Sequence, residues 1–463
     1  MATLFSPEFL MAFWIFFIVY WLMCPWGRVQ NILLLLVGYC FVGLAGIYPL
    51  LVLLSWSVCI CLLVQIAVRT QHPARVMPVM LCLLVGYFIV FKYFSPLNDW
   101  AQTYLDSLHA HFSLPAVNIL LPLGLSFYLF NSVSLVLSVI RKEVEKPAVM
   151  DVLLYVSFIP TLIAGPVSRA VDLLPQITCR RRSLLDYKRA FYLIAIALVK
   201  LFILSSWLND TFVTPVFSLP AGQNGWDCLL AVYGWAWNIY FNFSGYTDLV
   251  TGIALLLGYR VAKNFSHPYL ATSVKDFWRD WHISLSTFIR NYIYFPLGGN
   301  RRGWMRTQVN IVLAMMLSGL WHGAGLTFLF WGALHGAGLV VYNLWKKWGG
   351  ITLPGVFARL LTFHFVCLAW IFFRADSLSD AVTVLGNIGS SSLSTLSTLQ
   401  IRTLILFVGV IILYPAIVDL RQTVLDRVVE LRWHTLPLVI VPLLALAFFF
   451  APSGVPGFIY ANF

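Results

Sequence analysis

Charge is what this sequence has least of. Of its 463 residues only 10% are Asp, Glu, Lys or Arg, and 60% are hydrophobic. A soluble domain carries about 25% charged residues, so a water-soluble globule is excluded. Acidic residues are scarcest, 18 against 30 Lys and Arg, which leaves a formal net charge of +12. With no soluble basic domain to carry it, that excess is no nucleic-acid surface and instead reports membrane topology. Histidine and cysteine never fall at H-x-x-x-H or C-x-x-C spacing, and few carboxylates lie near the histidines, so no metal is expected. The eight cysteines (24, 40, 59, 61, 82, 179, 228, 367) sit mostly inside apolar runs and read as small buried hydrophobes, not disulfide partners. Internal repeats and low-complexity tails are also missing. The first apolar run has no basic segment before it and no small-residue cleavage site after it. It therefore reads as a retained helix and not as a signal peptide.

What is present is apolar helix. Hydrophobic stretches fall near 8–25, 31–46, 49–68, 76–93, 116–140, 150–168, 189–207, 228–257, 308–321, 325–345, 357–373, 403–418 and 436–451. Some are too short to cross a bilayer, and the twenty-residue rule predicts roughly 10–12 spanning or half-spanning helices. Continuous apolar runs, without alternation, exclude a membrane β-barrel. The fold class is an all-α polytopic membrane protein. Arg180, Arg181, Arg182, Lys188 and Arg189 form the densest basic cluster, expected on the cytoplasmic face.

Polar chemistry concentrates between Asn242 and Lys347. Ser273 followed by Asp276 predicts an N-cap with its N3 partner. Val274, Phe277, Trp278, Trp281, Leu285, Phe288 and Ile289 then recur at helical spacing, with Lys275, Arg279, His282, Ser286 and Arg290 on a polar seam. The segments 241–248 and 163–167 carry Gly or Pro and are expected to break their helices, which requires protein or a water-filled cavity to receive the freed backbone groups. Trp321-His322-Gly-Ala stands between two apolar limbs, with Arg301, Arg302 and Arg306 before the first and Lys346 and Lys347 after the second. That charge placement predicts a hairpin whose outer ends face the cytoplasm. A first limb beginning at Gln308 would rise about 21 Å, short of a hydrocarbon core of roughly 30 Å, which would leave His322 at membrane depth.

An imidazole there is a candidate general base, and His282 a second one. Three other readings use the same residues. The histidines could be structural, flanked by interfacial Trp. They could be the proton relay of a transporter or flippase. Or His267, His282, His322 and His335 could gather a metal, though no spacing supports it. Ser318, one turn before His322, reads as a nucleophile or, more simply, as a small residue at a helix contact.

Several ordered motifs carry a resemblance. They are Asn242-Phe-Ser-Gly-Tyr-Thr-Asp-Leu, Asn264-Phe-Ser-His-Pro-Tyr-Leu, Asp276-Phe-Trp-Arg-Asp-Trp-His-Ile-Ser-Leu-Ser-Thr287 and Tyr294-Phe-Pro-Leu-Gly-Gly-Asn300. Ser318-Gly-Leu-Trp-His-Gly-Ala324, Phe330-Trp-Gly-Ala-Leu-His-Gly336 and Phe372-Phe-Arg-Ala-Asp-Ser377 follow, and Leu121–Tyr128 and 163–167 add to the set. Together they resemble the membrane-bound O-acyltransferase (MBOAT) family, in its bacterial AlgI-like branch that acetylates polysaccharides or peptidoglycan. The likeness spans roughly 120–377 and the C-terminus.

The resemblance implies a ring of about 10–12 helices around a central tunnel or funnel. It implies residues 1–115 as N-terminal transmembrane helices, 116–377 as the catalytic core, and 378–463 as C-terminal helices and tail. It makes His322 the catalytic histidine and His282 the second active-site position. Acetyl-CoA is the implied donor, with Lys275, Arg279, Arg290 and Trp321 as contacts. The ending Phe458-Ile-Tyr-Ala-Asn-Phe463 resembles a terminal F-x-Y-x-x-F motif, in which Tyr460 would carry the acyl group to a periplasmic SGNH-like acetyltransferase partner. An interfacial aromatic anchor is the plainer role for that tyrosine. The implied setting is the lipid of a bacterial inner membrane, with a cell-surface polysaccharide or peptidoglycan as acceptor. Two positions depart from the pattern: Asn242 stands where an acid is expected, and Asp280 where a base is.

Overall fold

The structure is a computed structural model that describes residues 7–109, 112–115, 119–162, 165–451, 457 and 459. Among the described residues there is no strand. Also among the described residues, seven helices are long and apolar enough to cross a membrane, and Met11–Leu22, Leu125–Ile140 and Pro437–Phe449 add three shorter apolar ones. The protein is therefore the all-α polytopic chain that its apolar runs predict. Its cysteines are all free, but only Cys228 and Cys367 are buried, while Cys40, Cys82 and Cys179 are exposed. An apolar run buries little in protein when most of its surface faces lipid.

Two compact units divide the chain: Met1–Leu185 with Ile253–Ala262, and Asp186–Gly252 with Lys263–Phe463. In the first, helices α1 (Gly27–Leu44), α2 (Ile47–Arg69), α3 (Leu125–Ile140) and α4 (Val149–Ser157) pack through small residues and buried polar bonds. A Cβ on Gly38 of α1 would stand 2.6 Å from the Ser157 carbonyl oxygen, so α1 meets the end of α4 only because no side chain is there. Trp56 Nε1 of α2 donates to Ser132 Oγ of α3 at 2.9 Å. Regular helix gives out after Ser157, returns over Ile159–Leu162 and is absent over 165–169, so the expected break is seen at 165–167, while 163 and 164 lie outside the described residues. Protein receives part of the freed backbone: Asn131 Oδ1 accepts from the Ser168 amide at 2.9 Å, and Tyr155 Oη donates to the Ser168 carbonyl at 2.6 Å.

Arg182 lies buried in this unit, not on the surface with its basic neighbours. Its guanidinium donates to Asn31 Oδ1 at 2.6 Å and to the Ile177 and Gln176 carbonyls at 2.9 and 3.2 Å. Gln30 Oε1 and the Gly27 carbonyl, both at 3.4 Å, complete the set, and the Tyr259 ring lies 4.7 Å from the guanidinium carbon. Arg180, Arg181 and Arg189 are exposed.

In the second unit α5 (Tyr187–Leu198) runs into a π-helical turn, Val199–Ser205. Against it lies α6 (Gly225–Leu256), which passes without interruption through residues 241–248. The expected break is absent. Gly245 serves a different end: a Cβ there would come within 2.9 Å of Leu201 Cγ, so the glycine admits α5's extension and does not bend α6. Helices α7 (Val274–Asp280) and α8 (Ile283–Ile289) follow, then α9 (Trp304–His322), α10 (Leu326–Lys347), α11 (Gly355–Arg374), α12 (Thr398–Glu430) and α13 (Pro437–Phe449).

The hairpin predicted around His322 is α9 and α10. A Cβ on Gly319 would collide with the Phe328 carbonyl, one on Gly332 with that of Met315, and one on Gly336 would stand 2.9 Å from Val312 Cα. Glycine on both limbs thus brings the two backbones together. The first limb begins at Trp304, four residues before the apolar run does. At 1.5 Å per residue it rises about 28 Å, so its length alone no longer leaves His322 short of the far side. The enclosure of His322 is instead a matter of packing.

Candidate active site

His322 is the last residue of α9, and Gly323 turns the chain away in extended conformation. A side chain on Gly323 would overlap the Phe328 ring, so the exit is closed to any larger residue. Around the imidazole, ring centroids lie at 4.7 Å for Trp321, 5.0 Å for Trp331 and 5.1 Å for Phe373. Three aromatic walls leave the side chain only 3% exposed.

His282 reaches the same neighbourhood by another route. The helix predicted to run from Ser273 to Arg290 starts as expected, with Ser273 Oγ accepting from the Asp276 amide at 3.1 Å, but it stops at Asp280. His282 then takes a left-handed conformation, φ 42° and ψ 55°, and caps α8. Such backbone costs a non-glycine residue about 1 kcal/mol and is held by its surroundings. Here the surroundings are the 264–266 segment: the Ile283 amide donates to the Asn264 carbonyl at 2.9 Å, and the Ser266 amide to that of Asp280, also at 2.9 Å. The break turns His282 off the polar seam and inward, to 1% exposure, while Lys275, Arg279 and Arg290 stay exposed.

The Asn264 side chain sets the imidazole's tautomer. Its Oδ1 accepts from Ser284 Oγ at 2.6 Å and from the Ser284 amide at 3.4 Å, which identifies that atom as oxygen. His282 Nδ1 lies 3.3 Å from the same oxygen, so the hydrogen-bond network assigns the proton to Nδ1 and the lone pair to Nε2. Burial pushes the pKa of His282 down to about 3. Burial therefore favours the neutral ring.

One indole links the two histidines. Trp321 has its ring 4.7 Å from that of His322 and 6.1 Å from that of His282, and Phe243 of α6 closes the other flank of His282 at 4.6 Å. Two imidazoles enclosed among aromatic rings, one in a defined neutral tautomer, can take and return a proton with water held away. Of the expected site residues, His322, His282 and Trp321 are together. Lys275, Arg279 and Arg290 lie outside this enclosure, and the Arg279 guanidinium is occupied by Asp276 at 3.0 Å and Asp280 at 3.3 Å. Tyr460 lies outside the described residues.

His335 is held by aromatic neighbours. Its Nδ1 accepts from Trp278 Nε1 at 3.2 Å and its ring is packed against Trp331, 5.0 Å away. Among the described residues no group of three or more His, Cys, Asp or Glu is placed to hold a metal ion.

Two features escaped the sequence reading. Asn264, quoted only as part of a motif, orients His282. In addition, Asp248 accepts from Lys200 Nζ at 2.6 Å and pairs with Arg421 at 3.3 Å, so one carboxylate serves two cations beside α6. The signal for the second was available: Asp248 and Lys200 each interrupt a long apolar run, where an ionisable group implies a partner.

The family model described as MBOAT, membrane-bound O-acyltransferase family, matches residues 91–375. The chain is 34% identical over 397 residues to the probable alginate O-acetylase AlgI of Pseudomonas putida, covering 81% of this chain and 79% of that relative. To the probable alginate O-acetylase AlgI of Azotobacter vinelandii it is 33% identical over 437 residues, 88% of this chain and 84% of the relative. It is also 30% identical over 344 residues to the peptidoglycan O-acetyltransferase of Helicobacter pylori, 67% of this chain and 63% of the relative.

Proposed function

We propose a specific transfer reaction from the premise that this chain belongs to the membrane-bound O-acyltransferase family, and is therefore a multi-pass membrane enzyme that moves acyl groups to oxygen. It acetylates a cell-surface polymer, alginate, cellulose or a similar exopolysaccharide, or peptidoglycan, with acetyl-CoA as donor on the cytoplasmic side of a bacterial inner membrane. Donor and acceptor meet along a tunnel through the helices. What carries this reading is that His322 and His282, from separate elements, pack against the single indole of Trp321.

In the first step Nε2 or Nδ1 of His322 takes the proton from the Tyr460 hydroxyl. The phenolic oxygen attacks the thioester carbonyl carbon, the C–S bond breaks, and the departing CoA thiolate takes the proton back from the imidazolium. His282, neutral and fixed by Asn264, positions the donor carbonyl or the acceptor. Lys275, Arg279 and Arg290 meet the donor's phosphates at the exposed face, where a cation beside phosphate is favourable. A phenol ionises near pH 10 and a thiol near 8.5, so the aryl ester keeps about the transfer potential of the thioester. The acetyl group therefore remains activated for an alcohol of the polymer. The chain has no large polar interval to hold a polymer, which supports a separate periplasmic SGNH-like acetyltransferase for the last transfer.

The transporter reading gives way to the family's chemistry. Purified protein in detergent, incubated with radiolabelled acetyl-CoA, is expected to release free CoA and to add one acetyl mass to the C-terminal peptide at Tyr460, with neither change in His322→Ala. Transfer that proceeds with no mass gain at Tyr460 would rule out the tyrosine carrier. Binding of acetyl-CoA without CoA release would overturn the acetyltransferase reading.

A further inference from the structure

The buried amide of Asn242 is spent on the C-terminal tail. Asn242 lies on α6, 2% exposed and next in sequence to Phe243, the residue that flanks His282. Its Nδ2 donates to the Gly457 carbonyl at 3.1 Å, and its Oδ1 accepts from the Ile459 amide at 3.1 Å. The second Nδ2 hydrogen reaches Ser205 Oγ at 3.4 Å, and Ser205 in turn donates to Asn238 Oδ1 at 2.7 Å, one turn back on α6. The side-chain amide thus pairs with one acceptor and one donor of the tail backbone, two residues apart. Only one rotation of the amide satisfies both bonds, so the pairing fixes the tail's direction and register as well as its presence.

We infer that Asn242 is a positioning residue that latches the tail backbone at Gly457 and Ile459, and so registers Tyr460, the next residue, for acylation. The latch deepens the proposed reaction and rests on it only for the role of Tyr460. An amide is the side chain this task requires, because a carboxylate could accept from Ile459 but would set an oxygen against the Gly457 carbonyl.

Hydrogen exchange of the Ile459 amide, read by mass spectrometry on the full-length protein in detergent, tests the latch without reference to activity. Asn242→Leu is expected to speed that exchange about ten-fold, since a buried hydrogen bond is lost. Ser205→Ala keeps both tail bonds and is expected to keep the protection. Asn242→Asp keeps the Ile459 bond, guards against misfolding of the leucine variant, and is expected to keep most of the protection while slowing acetylation of Tyr460. With the latch lost, the first-order rate of Tyr460 acetylation falls about ten-fold while the Kd for acetyl-CoA stays within about two-fold, a split that general destabilisation would not give. Unchanged exchange at Ile459 in Asn242→Leu overturns the latch. Lost protection with an unchanged acetylation rate overturns its positioning role. Lost protection with Tyr460 unmodified even in the wild type overturns the carrier and leaves the latch standing.

Discussion

Two regions deliver an imidazole to the same indole by opposite means. The α9–α10 hairpin presents His322 at the end of regular helix, and its accuracy comes from glycines that bring two backbones into contact. The 264–289 region presents His282 by breaking a helix, and its accuracy comes from a left-handed residue pinned by Asn264. The first device is packing, tolerant of side-chain chemistry but not of volume. The second is a hydrogen-bond network, tolerant of volume but not of chemistry.

Substitutions can separate the two. Removing the proton acceptor should cost most: His322→Ala is expected to lower acetyl transfer about 10³-fold, within the range for a general base, when CoA release is followed. His282→Ala should cost about 10²-fold if that imidazole positions the reactants and does not carry the proton. Equal losses at the two sites would erase the distinction. Gly319→Val forces the two limbs of the hairpin apart and should lower stability by about 2 kcal/mol, seen as a lower melting temperature in detergent, with transfer falling as His322 is displaced. Asn264→Ala should act on the other imidazole, with transfer down about ten-fold through the freed ring of His282 and a loss of about 1 kcal/mol in stability. A separate effect is with pH. Because burial lowers the pKa of His282 from 6.5 to about 3, the unfolded chain takes up its proton first as pH falls through that interval. Stability from the neutral ring is whole above pH 6.5 and declines below it. The melting temperature should therefore fall less steeply with acid in His282→Gln than in the wild type.

The same contrast explains what could be read in advance. The hairpin was legible because basic residues bracket two apolar limbs, whereas the glycines that join them stood out only in the structure. The helix start at Ser273 was legible because a cap is local chemistry. The break at His282 was not: apolar spacing continues through it, and what opposes the helix is a segment some twenty residues earlier. Periodicity reports which face could be buried, not whether distant backbone will compete for the same amide. For the same reason Gly245 misled, since a glycine that admits a neighbouring helix looks, in one dimension, like one that bends its own. His322 announced itself as a lone ring in an apolar hairpin, whereas Asn264 had nothing local to mark it.

Arg182 has a consequence for how the chain orients itself in a bilayer. Its five acceptors are all neutral carbonyl and amide oxygens of the protein. The guanidinium thus spends its hydrogen bonds on joining the segment after Ile177 to α1. Arg180, Arg181 and Arg189 stay exposed, where an anionic membrane surface would attract them. Neutralising those three should weaken topology while sparing the fold. Replacing Arg182 should loosen the fold and leave orientation alone, which makes one basic run two instruments.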